Sequence, residues 1–247
     1  MYYETKQLYG AFLRIYSFAY QNYSGYMNRS HLLSLLFAGA LVCPAATITL
    51  TGTDSSRGMN LNYGVNGNNS VSYAGAIRIT ITGVPAGTVN GLAFCVDLFT
   101  SIGLGSYATT LQEPSTVPNG ERVAWLLQNV LGDVDTAREG AGLQLAIWDI
   151  VHDNGDGLTA GAVRRHSAPN SNDQAAYGFA ATYLALSAGQ SSTAGTVYRN
   201  VSFQGVPAQT LMGADTVVPN PEPGTWVMLG LGAGLIGLAQ VRIRRAG

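Results

Sequence analysis

The chain has 247 residues, a formal net charge of −1 and only 11% charged residues, well below the roughly 25% of an ordinary soluble domain. Between residues 46 and 220 there are seven Arg, no Lys and twelve acidic residues, so the segment is acidic. It offers no basic stripe for phosphates, which argues against nucleic-acid binding. Gly is abundant at 31 residues, which suits an extracellular, β-rich domain with one sizeable core.

Residues 1–26 hold seven Tyr and no export logic, and they read as a non-native extension ahead of a start at Met27. Residues 27–46 read as a signal peptide: Arg29 and His31 give a positive start, Leu32 to Val42 an apolar stretch, and Ala45 or Ala46 a small-residue cleavage site. The apolar stretch is too short to span a bilayer. Cys43 follows Val42 rather than a small residue, a departure from a lipoprotein signal. With Cys43 removed, Cys95 is the one cysteine of the exported domain, which excludes an internal disulfide.

Residues 47–215 are the expected folded domain. Thr47–Gly52 and Val71–Thr82 alternate as strands, the second with Ile77, Ile79 and Ile81 on one face. Gly83 to Gly87, with Pro85 between, reads as a turn. Leu92–Phe99 reads as a strand with Phe94, Val96 and Leu98 on one face and Cys95 and Asp97 on the other. Helical spacing follows. Glu121–Leu131 places Val123, Leu126, Leu127 and Val130 on a stripe, and Gly132 and Asp133 end it. Ala141–His152 buries Leu143, Ile147, Ile150 and Val151, with Gln144 and Trp148 one turn apart on a flank. Asp173–Ser187 reads as a third helix and Thr196–Phe203 as a strand. No internal repeat of solenoid length is present. The expected class is α+β: a β-rich barrel or sandwich with an inserted bundle of about three helices, plus a detached C-terminal apolar helix.

Residues 216–224 form a Pro-rich linker containing Pro221-Glu222-Pro223. Residues 225–241 are an apolar helix at the short limit for a membrane span, and residues 242–247 a basic tail with Arg242, Arg244 and Arg245. The arginines orient that end to the cytoplasm. Triad, Gly-rich apolar helix and Arg cluster, in that order, resemble the PEP-CTERM sorting signal. The resemblance implies secretion and then recognition by a membrane exosortase, with membrane contact through the helix before processing. It also implies the cell envelope, outer surface or extracellular matrix of a Gram-negative bacterium that builds exopolysaccharide or biofilm matrix. An ordinary C-terminal membrane anchor is the alternative.

Two segments of the folded domain carry a second resemblance. Phe94-Cys95-Val96-Asp97 is similar to the aromatic-Cys-apolar signature of bacterial thioester domains, and Leu143-Gln144-Leu145-Ala146-Ile147-Trp148 to their Gln-x-Ala-Ile-Trp signature. Ala124–Asn129 resembles the helix between the two, so the likeness covers roughly residues 90–155. Those domains are best known from Gram-positive adhesins, from which the tail is a departure. The resemblance implies a covalent bond between Cys95 Sγ and Gln144 Cδ, and one-shot covalent binding of an amine or hydroxyl partner rather than turnover. Read from the residues themselves, Trp148 either shields that bond or is ordinary core, and Asp97, His152 or Asp149 is a candidate base, with His152 alternatively a cap to the helix dipole. The domain's lack of Lys fits a stored electrophile and argues against Lys–Asn crosslinks.

The same residues are open to other chemistries. A cysteine hydrolase would pair Cys95 with His152 or His166, but neither His lies in a catalytic signature. A non-covalent matrix or carbohydrate-binding module is the other alternative. Asp153-Asn154-Gly155-Asp156-Gly157 hints at a calcium loop, yet lacks the spacing and terminal Glu of an EF-hand and reads as a turn. No cofactor and no metal are expected.

Overall fold

The computed structural model describes residues 46–215 and 217. The expected extension, all but the last residue of the signal peptide, the Pro-Glu-Pro triad, the apolar helix and the basic tail lie outside these residues. Pro44–Pro221 forms one compact unit. Among the described residues no helix is long and apolar enough to cross a membrane.

The unit is built on a long hairpin. Strand β1 (Ala46–Val65) pairs antiparallel with β2 (Asn68–Val84) along most of its length. Asn66 and Gly67 make the turn with φ of 46° and 86°. Two successive left-handed residues are what a two-residue hairpin loop of the twisted kind requires, and Asn-Gly adopts them at least cost. Register shifts at Leu50/Gly52 and Thr53/Gly58 break the ladder, so the hairpin bends into two halves.

The near half belongs to a barrel. β2 pairs with β3 (Gly87–Cys95), β3 with β7 (Leu211–Gly213), β7 with β6 (Thr196–Val201), β6 with β4 (Gly105–Gln112), and β4 with Ala46–Leu50 of β1. Because β1 also pairs with β2, the ring closes, with β7 covering Ala93–Cys95 of β3. The far half of β1 pairs instead with the short β5 (Val163–Arg165). Of the strands expected from sequence, Thr47–Gly52 and Val71–Thr82 are fragments of longer ones. Ile77, Ile79 and Ile81 are buried as expected.

Three α-helices are inserted between β4 and β6: α1 (Gly120–Asn129), α2 (Ala137–Asp153) and α3 (Ser171–Leu186). Capping boxes start two of them, Thr136 with Glu139 on α2 and Asn170 with Asp173 on α3, satisfying backbone donors that a helix start leaves open. The Asp173 carboxylate is buried and also receives Asn62 N and Nδ2 from β1. One side chain thus caps α3 and ties it to the hairpin.

Helix α2 differs from its expected form. Every residue from Gly140 to Val151 is buried, so Gln144 and Trp148 do not lie on a flank. The helix is central, between α3 and the β1–β2 hairpin. Two glycines permit this: a Cβ on Gly140 would lie 2.1 Å from the Arg57 carbonyl oxygen, and one on Gly142 would lie 2.6 Å from Phe179 Cβ. A helix buried all round has no amphipathic stripe to read.

Candidate functional site

Cys95 ends β3, four residues short of the expected strand end at Phe99. The expected two-faced alternation fails here, because Phe94, Cys95 and Val96 are all buried. β7 covers one edge of the strand end: Cys95 is paired with Leu211, and Val96 N donates to Thr210 O at 3.0 Å. On the other edge the ladder with β2 stops at Ile77↔Ala93.

Gln144 on α2 fills that gap. Cys95 N donates to Gln144 Oε1 at 3.0 Å, and Gln144 Nε2 donates to Cys95 O at 2.7 Å. The carboxamide pairs with the strand end as another strand would. A buried amide needs such partners, and Gln144 is 1% exposed. The structure therefore brings together the two residues singled out in the sequence, although they are 49 positions apart.

A second carboxamide holds the sulfur. Cys95 Sγ donates to Gln209 Oε1 at 2.9 Å, while Gln209 Nε2 donates to Asp97 O at 2.7 Å. Asn200 Nδ2 fixes the Gln209 backbone by donating to its carbonyl at 2.9 Å. Gln209 carries no signal in the sequence. It lies in the connection leading into β7, a three-residue strand with no readable period, and only closure of the barrel sets it beside Cys95.

The other candidates sort by position. Asp97 Oδ1 accepts from Phe99 N at 3.1 Å and makes the turn after the strand. His152, two turns beyond Gln144, accepts from Leu98 N through Nε2 at 3.3 Å and meets Phe99 edge-on at 5.0 Å. Helix α2 thus grips the segment after β3 at two levels. Nε2 must be unprotonated to accept that bond, and burial holds the His152 imidazole below its usual range. Trp148 is buried and stacks on Tyr63 of β1 with ring centroids 5.2 Å apart. Its Nε1 has no hydrogen-bond partner. His166 accepts from Ala168 N beyond β5. Asp149 faces the loop that follows α2.

Burial, and secondarily the charge of Asp97, push the Cys95 thiol up to about 12. A free Cys95 thiol in the folded protein is therefore protonated at neutral pH. Its alkylation by iodoacetamide should accelerate about tenfold per pH unit from pH 7 to 10 without levelling off. A plateau near pH 7 would mean an activated thiolate instead. Because an unfolded thiol ionises near 8.5, the same group makes folding stability fall as pH rises above that value.

Residues 221–245 match the family described as the PEP-CTERM protein-sorting motif. The chain carries a PEP-CTERM sorting signal. The matched span contains the Pro221-Glu222-Pro223 triad, the apolar run and Arg242, Arg244 and Arg245. The signal implies export to the envelope or surface of a Gram-negative bacterium and processing by an exosortase. No curated protein and no solved structure matches the chain.

Proposed function

We propose that the chain is an exported surface or matrix protein whose barrel domain attaches to a partner covalently through a thioester between Cys95 and Gln144. The observation that carries this reading is the reciprocal pair of hydrogen bonds between the Gln144 carboxamide and the backbone of Cys95. They hold the acyl carbon against the residue that bears the thiol, on a helix buried on every side.

In the first step Sγ turns from Gln209 and attacks Gln144 Cδ. The C–N bond breaks, and the amide nitrogen leaves as ammonia with the thiol proton. Only about one thiol in 10⁵ is ionised at pH 7, given a pKa of about 12. Fixed placement offers effective molarities of about 10⁵–10⁸ M, of the size needed to offset that fraction. In the second step an amine or hydroxyl of the partner attacks Cδ, the C–S bond breaks, and sulfur takes the nucleophile's proton. Asp97, just beyond Cys95, or His152 on α2, once its Nε2 gives up the bond from Leu98 N, would assist that transfer. Burial of the site slows hydrolysis by water. The partner is a nucleophile-bearing polymer or protein of the cell surface, biofilm matrix or exopolysaccharide, as for an adhesin.

A second reading has its own support. The Gln144 amide already has a structural task at the strand end, so the pair would also suit a non-covalent matrix or carbohydrate-binding module. A cysteine hydrolase is less well supported, since the thiol donates to Gln209 and not to a histidine. Cys95→Ala separates the first two. Adducts that survive denaturing electrophoresis should form with the parent protein on cell-envelope or matrix preparations and vanish in the variant. Binding that is equal in both and lost on denaturation would favour the non-covalent module.

A further inference from the structure

The far end of α2 holds a cluster of three aspartates, of which the thioester reading drew only on Asp149, as a candidate base. Asp149 and Asp153 lie one helical turn apart, and Asp156 follows a reversal in which Asn154 and Gly155 both take positive φ, 63° and 76°. One carboxylate oxygen from each of the three lies within 4.8 Å of the others. That is close enough for one calcium ion, bonded to oxygens at about 2.3–2.6 Å, to reach all three.

The hydrogen bonding of the three is incomplete where it should be closed. Asp153 accepts from Ala162 N at 2.8 Å and from Val163 N at 2.7 Å. Asp149 is fully buried, yet only Oδ2 has a partner, Gly157 N at 3.1 Å, and Oδ1 has none. An orphaned buried carboxylate oxygen is costly unless something occupies the space before it. Asp156 is exposed with no hydrogen bond. Among the described residues the ion pairs all converge on Asp54, so none of the three aspartates is paired. The nearby Arg122 donates to Asn154 O, Leu184 O and Ser187 Oγ instead. Two further features favour positive charge here. The C-terminal end of α2 carries the negative pole of the helix, and an all-carboxylate set selects hard divalent cations.

We propose that Asp149, Asp153 and Asp156 form a calcium site that fastens the 154–163 loop, and with it β5, to the end of α2. The site needs no thioester and stands independently of that reading. An exported protein meets calcium at millimolar levels, where a site with three carboxylates and a loop on one side binds at about 10⁻⁴–10⁻³ M.

The test uses the full-length chain in detergent, stripped with EDTA and titrated with CaCl2 by calorimetry, with thermal melting in parallel. One saturable event should appear, with a melting temperature a few degrees higher at saturation. MgCl2 should bind more weakly. Asp156→Asn alters an exposed side chain and should weaken calcium binding at least tenfold, while Asp133→Asn, outside the cluster, should not. Absence of saturable heat up to 10 mM CaCl2 overturns the proposal, on the millimolar limit set by this ligand class. So does equal binding by the parent and Asp156→Asn.

Discussion

The purified Pro44–Pro221 unit should weigh about 17 Da less than its sequence requires, and should gain about 31 Da on incubation with methylamine. The deficit is ammonia lost when Sγ displaces the Gln144 amide nitrogen. The gain is methylamine added to the acyl carbon, with release of a thiol that then accepts iodoacetamide after unfolding. Peptide mapping should place the added methylamine on Gln144. Gln209 is the informative control, because its carboxamide is the one that touches the sulfur, at 2.9 Å. Label on Gln209 would assign the wrong glutamine to the bond. An unshifted mass with one free thiol, before and after amine, would leave Gln144 a purely structural residue. Cys95→Ala should show neither shift.

Replacing Gly140 by Ala should lower the melting temperature by about 4–8 °C, while the same change at Gly178 should raise it by about 2 °C. Both glycines lie inside helices, where Ala is intrinsically better by about 0.5–1 kcal/mol. Their surroundings decide the sign. A Cβ on Gly178 meets nothing within 4 Å, whereas one on Gly140 would sit 2.1 Å and 2.2 Å from the backbone oxygen and carbon of Arg57. Backbone cannot rotate away as a side chain can, so α2 must shift, at an overpacking cost of about 1–3 kcal/mol or more. In a unit of this size 1 kcal/mol moves the midpoint by about 2–4 °C. The shift would also move Gln144, one turn further along, relative to Cys95. The fraction of Gly140→Ala protein showing the mass deficit should fall with its stability. Melting curves unchanged between Gly140→Ala and parent would show that α2 is not held against β1 by this contact.

Local chemistry made much of the architecture legible. Alternating Ile77, Ile79 and Ile81 marked a half-buried strand, and the 3.6-residue spacing of Val123, Leu126, Leu127 and Val130 marked α1. The sorting segment was readable because an address is recognised as a linear string. The Asn66-Gly67 turn and the Thr136 and Asn170 capping boxes carried signals of the same local kind, which would have extended β1, β2, α2 and α3 to their true ends.

The strands β4, β5 and β7 had no such signal. β5 and β7 are three residues each, and they exist because a neighbour supplies their hydrogen bonds. The order of residues by itself determined the sorting signal and the α+β pattern, while the resemblance of two short segments singled out Cys95 and Gln144. Only the tertiary structure decided that α2 runs through the middle of the unit, that Gln144 completes the strand end where β2 turns away, and that Gln209 holds the thiol. Burial on every side erases periodicity, and a hydrogen bond across 114 positions depends on barrel closure, which no local pattern encodes.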